Sequence, residues 1–580
     1  MKKYYIGIAC TFHDPSIVII DMDGEILFAE ASERYLQNKR AFVSPADDMF
    51  RITYLLKKYC SSNASYTLCF TWSKTYIDQF VNSNESNQSD EIKPLQYPDI
   101  SGPFENLTTY NWSNETEQAI FANLGTNTVR ALREDFSPIE IKKEYFDHHL
   151  CHAAYACYSS PFDSGICVIL DGIGENGPIS IYRYENGQIS LLDDQKSSAS
   201  IGFLYSSITQ LCGYNALKGE EWKIMGLAPY GKLNRELYLL LEQMLSVDNC
   251  VLKYSSSTGY GKCLKEMFEK HKPNTESEIA DIAFTGQKFF SELVTTLLNN
   301  VYTHNKSENL IYSGGCALNS SFNGTILKNT GFKSLHIPSA PGDDGNAIGA
   351  ALLSYKQDYS LPIAKYKMLT PYLGSSINKK TVESFLKHIK LENVRELSDD
   401  KLFSYVAEKL AEGKLVSWIQ GRAEFGPRAL GNRSILADPR DIEMKDKINS
   451  VVKYREGYRP FAPAILNDFG NTYFHDYRES RYMELTGKFK MEQTKKVPAV
   501  VHINHTGRYQ SVKEEWNERF YKLIKAFYDN TNVPVLLNTS CNVMGKPMVH
   551  SLEDALGMFF TNGLDILVID NVIVEKSESN

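Results

Sequence analysis

His148 and His152 stand four residues apart in the run Asp147-His-His-Leu-Cys-His-Ala-Ala-Tyr-Ala. On a helix that spacing sets two imidazoles one turn apart on one face, where both reach a single metal ion. Asp147 stands where a helix cap would. Imidazole with carboxylate is a donor set suited to Fe(II), Mn(II) or Zn(II). The candidate carboxylates are Asp171, which ends an apolar run at a glycine-rich turn, and Asp343 and Asp344 in the loop Gly342-Asp-Asp-Gly345. Gly314-Gly315 follows an apolar run and Gly342 to Gly345 precedes a run of small residues. Both are settings where main-chain N–H groups hold phosphate. His13 and Asp14, in the first polar turn, are placed to complete the same site.

A second cluster is basic. Between Gln420 and Arg440 the chain carries Arg422, Arg428, Arg433 and Arg440, followed by Lys445, Lys447, Lys453, Arg455 and Arg459. Glycines and a proline interleave these arginines, which suits a phosphate cradle better than a salt-bridged helix. His505-Thr-Gly-Arg508 and Asn538-Thr-Ser-Cys-Asn542 are polar clusters beside apolar strand runs.

These side chains need a scaffold. Residues 4–10, 16–22 and 26–31 read as three strands, with Asp23-Gly24 as a hairpin turn. The arrangement recurs at 166–170, 179–184 and 189–192, with Asn186-Gly187 as its turn. Two such meanders, each with a polar turn after its first strand, predict a duplicated α/β domain. Helices are expected over 279–300, from Ala317 and over 347–353, and a strand over 310–313. The irregular stretch 358–369 reads as a linker, and a second domain begins near Thr370-Pro371. There Ser398 is placed to cap a helix whose apolar face is Leu402, Phe403, Val406 and Leu410. Gly413 ends it, and a strand follows over 414–419. Residues 70–125, rich in Asn, Ser, Thr and aromatics, read either as a lid over an acceptor pocket or as a surface loop.

The chain has 580 residues, 43% hydrophobic and 23% charged, too many for one hydrophobic core. A net charge of −8 argues against generic nucleic-acid binding. No apolar run approaches the ~18 residues of a membrane span. The short apolar run at 4–10 leads into His13 and Asp14 without a cleavage site, so it reads as a first strand and not a signal peptide. Eleven cysteines without a CxxC pair point to a reducing, cytoplasmic setting.

From about residue 4 to about residue 570, ordered segments resemble the NodU/CmcH family of O-carbamoyltransferases. They include His13-Asp14-x-Ser16, Glu33-Arg34 with Lys39-Arg40, His148-x-x-x-His152-Ala, Asp171-Gly-x-Gly-Glu175 and Lys223-x-Met-Gly-Leu-Ala-Pro-Tyr-Gly231. Ser313-Gly-Gly-Cys-Ala-Leu-Asn319, Gly342-Asp-x-Gly345, Lys453-x-Arg455, Arg459-Pro-Phe-Ala-Pro463 and Leu537-Asn-Thr-Ser540 continue the series. The most specific segment is Gly421-Arg-x-Glu-Phe-Gly-Pro-Arg-Ala-Leu-Gly-Asn-Arg-Ser434.

The resemblance implies two α/β domains. Residues 1–365 would form a duplicated actin-like (ASKHA) domain similar to threonylcarbamoyl-tRNA transferases, and residues 370–580 a YrdC-like domain. It implies that the second domain makes carbamoyl-adenylate and pyrophosphate from carbamoyl phosphate and ATP, the latter with Mg. The first domain would then pass the carbamoyl group to a hydroxyl of a small-molecule or glycan acceptor and release AMP. An Fe(II)-type metal would sit on His148, His152, Asp171 and one acid of the Asp343–Asp344 pair. Asp343 holds the Gly-Asp-x-Gly position. Arg428, Lys453, Arg508 and Ser540 fall on nucleotide or carbamoyl phosphate contacts; Gly314, Gly315, Asn319 and Arg455 are further candidates for holding the nucleotide, and His13, Asp14 and Lys223 are candidate catalytic residues, with the general base left open. No nucleic-acid partner and no membrane insertion is implied, and a homo-oligomer is compatible. The sequence departs from the family pattern at Asn504, Cys541, Lys546 and Glu220-Glu-Trp-Lys223. Two alternatives stand beside this reading: a tRNA-modifying threonylcarbamoyl-type transferase, and an actin-like sugar kinase or ATPase.

Overall fold

The computed structural model describes residues 2–82, 116–255, 259–359, 370–388 and 393–576. Most of the 358–369 linker and of the 70–125 segment lies outside the described residues. The chain divides into two compact units, Met1–Glu33, Arg40–Asn319 and Thr325–Leu369 in one, and Arg34–Lys39, Ser320–Gly324 and Thr370–Asn580 in the other. Two short segments, Arg34–Lys39 and Ser320–Gly324, thus belong with the second unit although they precede the expected boundary.

The first unit is built on two five-stranded sheets. One holds β1 (Lys3–Ala9), β2 (Ser16–Asp21), β3 (Ile26–Ala31), β4 (Ser65–Phe70) and β5 (Glu140–Tyr145) in the order β3-β2-β1-β4-β5. The other holds β6 (Ser164–Leu170), β7 (Ile179–Glu185), β8 (Gln188–Asp194), β11 (Asn309–Ser313) and β12 (Ser334–His336) in the order β12-β11-β6-β7-β8. A small hairpin, β9 (Leu245–Asp248) and β10 (Val251–Tyr254), lies between β8 and β11 in sequence. In both sheets the first three strands run antiparallel and the last two pair parallel. Identical order and direction make this a duplicated actin-like domain. The turns are the ones the sequence announces: Asn186 and Gly187 both take positive φ, the mirror-image turn that suits a two-residue hairpin.

Two helices fill the space between the sheets. His148–Ser159 packs on the second sheet, Asn346–Asp358 packs on β1, and the two pack on each other. Two glycines permit this closeness. A Cβ on Gly7 of β1 would sit 1.9 Å from the Ala347 carbonyl oxygen, and one on Gly349 would sit 1.9 Å from that of Cys151. In the helix His148–Ser159 every residue but Leu150 is buried, so its imidazoles face the interior of the unit.

In the second unit an eight-stranded mixed sheet runs β13-β22-β21-β14-β15-β20-β16-β19. Its strands are β13 (Val394–Glu396), β14 (Val416–Ile419), β15 (Arg433–Ala437), β16 (Ala462–Leu466), β19 (Gln510–Val512), β20 (Val535–Ser540), β21 (Ile566–Ile569) and β22 (Val572–Glu575). β17 (Thr486–Lys488) and β18 (Thr506–Arg508) pair separately. One continuous apolar core joins the central strands to the helices Asp399–Ala411 and Glu518–Thr531. Two local expectations are corrected. Ser398 precedes its helix, but its side chain makes no capping bond. The helix expected from Ala317 is a 3₁₀ turn, Gly315–Leu318, followed by the short helix Ser320–Asn323.

Candidate functional site

Asp147 caps the helix His148–Ser159 by accepting the Leu150 N–H at 2.8 Å, which fixes the start of the helix and the direction of both imidazoles. Asp171 leaves the end of β6, and Asp343 opens the turn before the helix Asn346–Asp358. One donor atom from each of His148, His152, Asp171 and Asp343 lies within 4.8 Å of all the others. Asp171 Oδ2 is 3.5 Å from His148 Nε2 and 3.6 Å from His152 Nε2. Asp343 Oδ1 is 3.7 and 3.5 Å from the same two nitrogens. Such separations match the edges of a tetrahedron whose corners lie ~2.1 Å from a central ion.

The surroundings complete the fit to a divalent cation. His152 Nε2 is buried and has no hydrogen-bond partner among the described residues. The Gly315 N–H donates to Asp171 Oδ1 at 2.7 Å, turning Oδ2 toward the histidines. The Asn346 amide lies 3.4 Å from His148 Nδ1, and its buried Oδ1 has no partner. With the amide turned half a revolution, Oδ1 accepts the Nδ1–H and leaves Nε2 as the ligand nitrogen. Burial would lower His148, yet hydrogen bonds with Asp171 and Asp343 carry it up to about 10. Burial would raise Asp171 and Asp343, but the two imidazoles hold both below the usual carboxylate range. Metal binding at these residues would therefore displace a proton from His148.

Asp344 does not join the cluster: its carboxylate accepts the Gly345 N–H, and its carbonyl accepts the Ser16 hydroxyl. His13 and Asp14 stand beside it. His13 Nδ1 lies 3.0 Å from Asp14 Oδ2 and 3.7 Å from Asp343 Oδ2. Arg40 grips Asp14 through Nε and Nη2 at 3.0 and 2.9 Å. Asp14 and Arg40 both take positive φ, so this loop is held in a strained shape around the ion pair. Burial would raise Asp14, but Arg40 and His13 keep it below its ordinary value.

Other expected residues are committed elsewhere. The Gly315 N–H serves Asp171 and not an open phosphate cradle, and Gly314, at φ 94°, lies against Leu170, whose carbonyl oxygen a Cβ would approach to 2.4 Å. The Asn319 amide bonds to Gln287. Lys223 pairs with Glu220 at 2.7 Å and lies over the Tyr214 ring.

The second unit sorts its basic residues sharply. Arg433 is fully buried and donates to the carbonyls of Gln420, Asn432, Ser375 and Gly421. Arg422 bonds to the carbonyls of Leu373 and Gly374, and Arg440 pairs with Asp438. These three hold the chain together, a correction to reading the whole run as a cradle. Arg428 and Arg508 have no hydrogen-bond or ion-pair partner among the described residues. Both are partly enclosed, and burial lowers both, Arg428 being pushed further by the Arg508 guanidinium. The loop carrying Arg428 is shaped by Glu424, whose Oε1 accepts the N–H groups of Leu430, Asn432 and Arg433. Lys453 reaches the carbonyls of Ser540 and Asn542 and Asn542 Oδ1, without a carboxylate among these partners. Burial, then Arg455, lowers it. Arg455 bonds to Asn449 Oδ1 and is lowered by burial and by Arg459 to about 9. Ser540 donates to Asn542 Oδ1.

Spacing in the sequence did not point to Trp72, Glu117 or Asn346. Trp72 stacks on His148 with ring centroids 4.1 Å apart. Glu117 is a buried acid that feels His13, Asp343 and His148. Among the described residues, no helix is long and apolar enough to cross a membrane.

Comparison with known proteins identifies the family. The family model of the carbamoyltransferase N-terminus matches residues 4–352, and that of the carbamoyltransferase C-terminus matches residues 407–576. An uncharacterized protein of Methanocaldococcus jannaschii is 31% identical, covering 98% of this chain and 99% of its own. An uncharacterized protein of Synechocystis is 36% identical over 74% of this chain and 76% of its own. The nodulation protein NolO of Bradyrhizobium diazoefficiens is 32% identical over 74% of this chain and 79% of its own. With both family models matched in order and a relative aligned from end to end, the chain belongs to the carbamoyltransferase family and is a carbamoyl-transferring enzyme.

Proposed function

We propose that this chain is an ATP-dependent O-carbamoyltransferase that works in two steps. In the first, the second unit, read as YrdC-like, hydrolyses carbamoyl phosphate with one water to carbamate and phosphate, and the carbamate displaces pyrophosphate from ATP to give carbamoyl-adenylate. The observation that carries this step is that the side chains of Arg428 and Arg508, both partly buried, have no hydrogen-bond or ion-pair partner among the described residues, and that Arg428 feels the charge of Arg508. Two such charges repel each other unless an anion lies between them, and phosphate groups of the two substrates fit that need. Lys453, Arg455 and Ser540 are the further candidates for holding them.

In the second step a hydroxyl of a small molecule or glycan attacks the carbamoyl carbon, and AMP leaves. His13 suits the role of base. Asp14 takes its Nδ1 side, so Nε2 is the nitrogen that receives the hydroxyl proton, and Arg40 keeps Asp14 ionised to stabilise the resulting imidazolium. His148, His152, Asp171 and Asp343 would hold a divalent transition metal of the Fe(II) type. When bound, that ion supplies Lewis-acid polarisation and a fixed anchor for the adenylate. Lys223 is a candidate for the adenylate's acidic groups.

The test is the double change His148→Ala, His152→Ala, with pyrophosphate and carbamoylated product measured in one reaction. Pyrophosphate release should persist while carbamoylated product disappears. Loss of both signals in a folded variant would refute separate half-reactions. ADP in place of AMP and pyrophosphate would favour an actin-like kinase.

A further inference from the structure

The His148 imidazole is packed against an aromatic column. Trp72, just past the end of β4, stacks on it at 4.1 Å between centroids with planes 20° apart. Trp72 also stacks on Tyr76 at 4.7 Å and 21°, and Tyr76 on Phe80 at 6.1 Å and 25°. Tyr76 and Phe80 are four residues apart on the helix Lys74–Asn82, so one helix face supplies both rings. Phe121 closes the side of the column, edge-on to both Trp72 and Phe80. Trp72 is 5% exposed, and its Nε1 is buried without a hydrogen-bond partner among the described residues. Its neighbour Ser73 is anchored through its N–H and hydroxyl to the carboxylate of Glu175, which sets the strand end in place.

Resting on the reading of His148 as a metal ligand, we infer that Trp72 is a positioning residue for the metal centre. Its indole fixes the plane of the His148 ring and favours the electron-poor, metal-bound imidazole. Two physical effects combine. A flat ring at stacking distance blocks the rotation by which the imidazole would carry Nε2 away from Asp171 and Asp343. An imidazole that donates its lone pair to a cation loses electron density, and the indole face, the most electron-rich of the aromatic side chains, attracts it more strongly than the free ring. Residues that orient a metal-bound histidine typically change affinity by about 10- to 100-fold when removed. Trp72 does this through a ring face, as Asn346 does through Nδ1.

The test uses Co(II) as the probe, added to the metal-free full chain. Visible absorption reports the coordination of the ion, and tryptophan emission reports its distance from the indole. Wild type should develop the Co(II) bands and lose tryptophan emission together, at about one ion per chain. Trp72→Phe keeps a stacked ring. It should bind Co(II) within about threefold of wild type while losing most of the quenching. Trp72→Leu keeps an apolar side chain without a ring and should bind roughly 10- to 100-fold more weakly, with shifted bands. Wild-type affinity and bands in Trp72→Leu would reduce Trp72 to a packing residue and overturn the inference. Equal quenching in Trp72→Phe and wild type would place the ion elsewhere and overturn it too. A wild type that develops no Co(II) bands at all would instead remove the metal reading itself, and the inference with it.

Discussion

Asp171 and Gly315 meet through a single hydrogen bond, 2.7 Å from the Gly315 N–H to Asp171 Oδ1, and that bond decides which oxygen faces His148 and His152. It joins the end of β6 to the turn after β11, two strands that pair in parallel, so the sheet itself sets the carboxylate's direction.

Gly315→Ala tests this directly. A Cβ there would stand 2.8 Å from Asp171 Oδ1, too close for carbon and oxygen, and the carboxylate must turn. The backbone tolerates alanine, since Gly315 is not among the positive-φ glycines. The variant should fold, and its affinity for a divalent transition metal should fall about 10- to 100-fold. Equilibrium dialysis with Co(II) measures it. Unchanged affinity would mean that Asp171 is not a ligand.

Arg428→Ala separates binding from stability. If Arg428 holds substrate phosphate, its loss removes charge-assisted bonds worth about 1.5–3 kcal/mol, and pyrophosphate release drops roughly 10- to 100-fold. The same change relieves the repulsion with Arg508, so the ligand-free protein should melt at a higher temperature than wild type. A structural arginine behaves oppositely. Arg433→Met removes bonds to four carbonyls, of which those of Asn432 and Ser375 keep the N–H groups of Gln420 and Ala423, and should lower the melting temperature by several degrees. Differential scanning calorimetry with and without ATP and carbamoyl phosphate reads both variants.

Those two arginines also mark where the sequence stops being informative. Both stand in one glycine-rich run of similar local character, and only the tertiary fold commits Arg433 to main-chain carbonyls while leaving the Arg428 side chain without a partner among the described residues. Local patterns were legible where the physics is local. Asp23-Gly24 and Asn186-Gly187 fixed the hairpins whose repetition revealed the duplication, and the His148–His152 spacing became one face of a helix. The choice between Asp343 and Asp344 depended on which carboxylate the turn aims inward, which neighbouring positions cannot show. Trp72 and Asn346 approach His148 from distant segments, and no periodicity encodes a contact of that kind. Ser320–Gly324 joins the second unit through the carbonyls of Glu484 and Ser320, bonded to Asn323 and Thr486, and a short polar stretch announces no such docking.

Glu117 gives a pH-dependent prediction. Glu117 is 8% exposed and lies within electrostatic reach of His13. Burial, and the nearby Asp343, raise it from 4.5 to about 7 against the opposing pull of His13 and His148. The sign follows from linkage. Below pH 4.5 the carboxyl is protonated in both folded and unfolded chains and costs nothing. As pH rises toward 7 the unfolded chain ionises first, so the folded state loses relative stability, by about 3 kcal/mol once both forms are ionised. Glutamine cannot ionise and escapes this loss. Glu117→Gln should therefore melt like wild type near pH 4.5 and progressively higher than wild type up to about pH 7, with a constant difference beyond. The comparison is made by calorimetry on metal-free protein, because a bound cation would favour the charged carboxylate and narrow the window. Adding Co(II) to wild type should shrink the difference at pH 7. A melting difference that does not change between pH 4.5 and 8 would show that Glu117 ionises normally, and that it does not face the cluster.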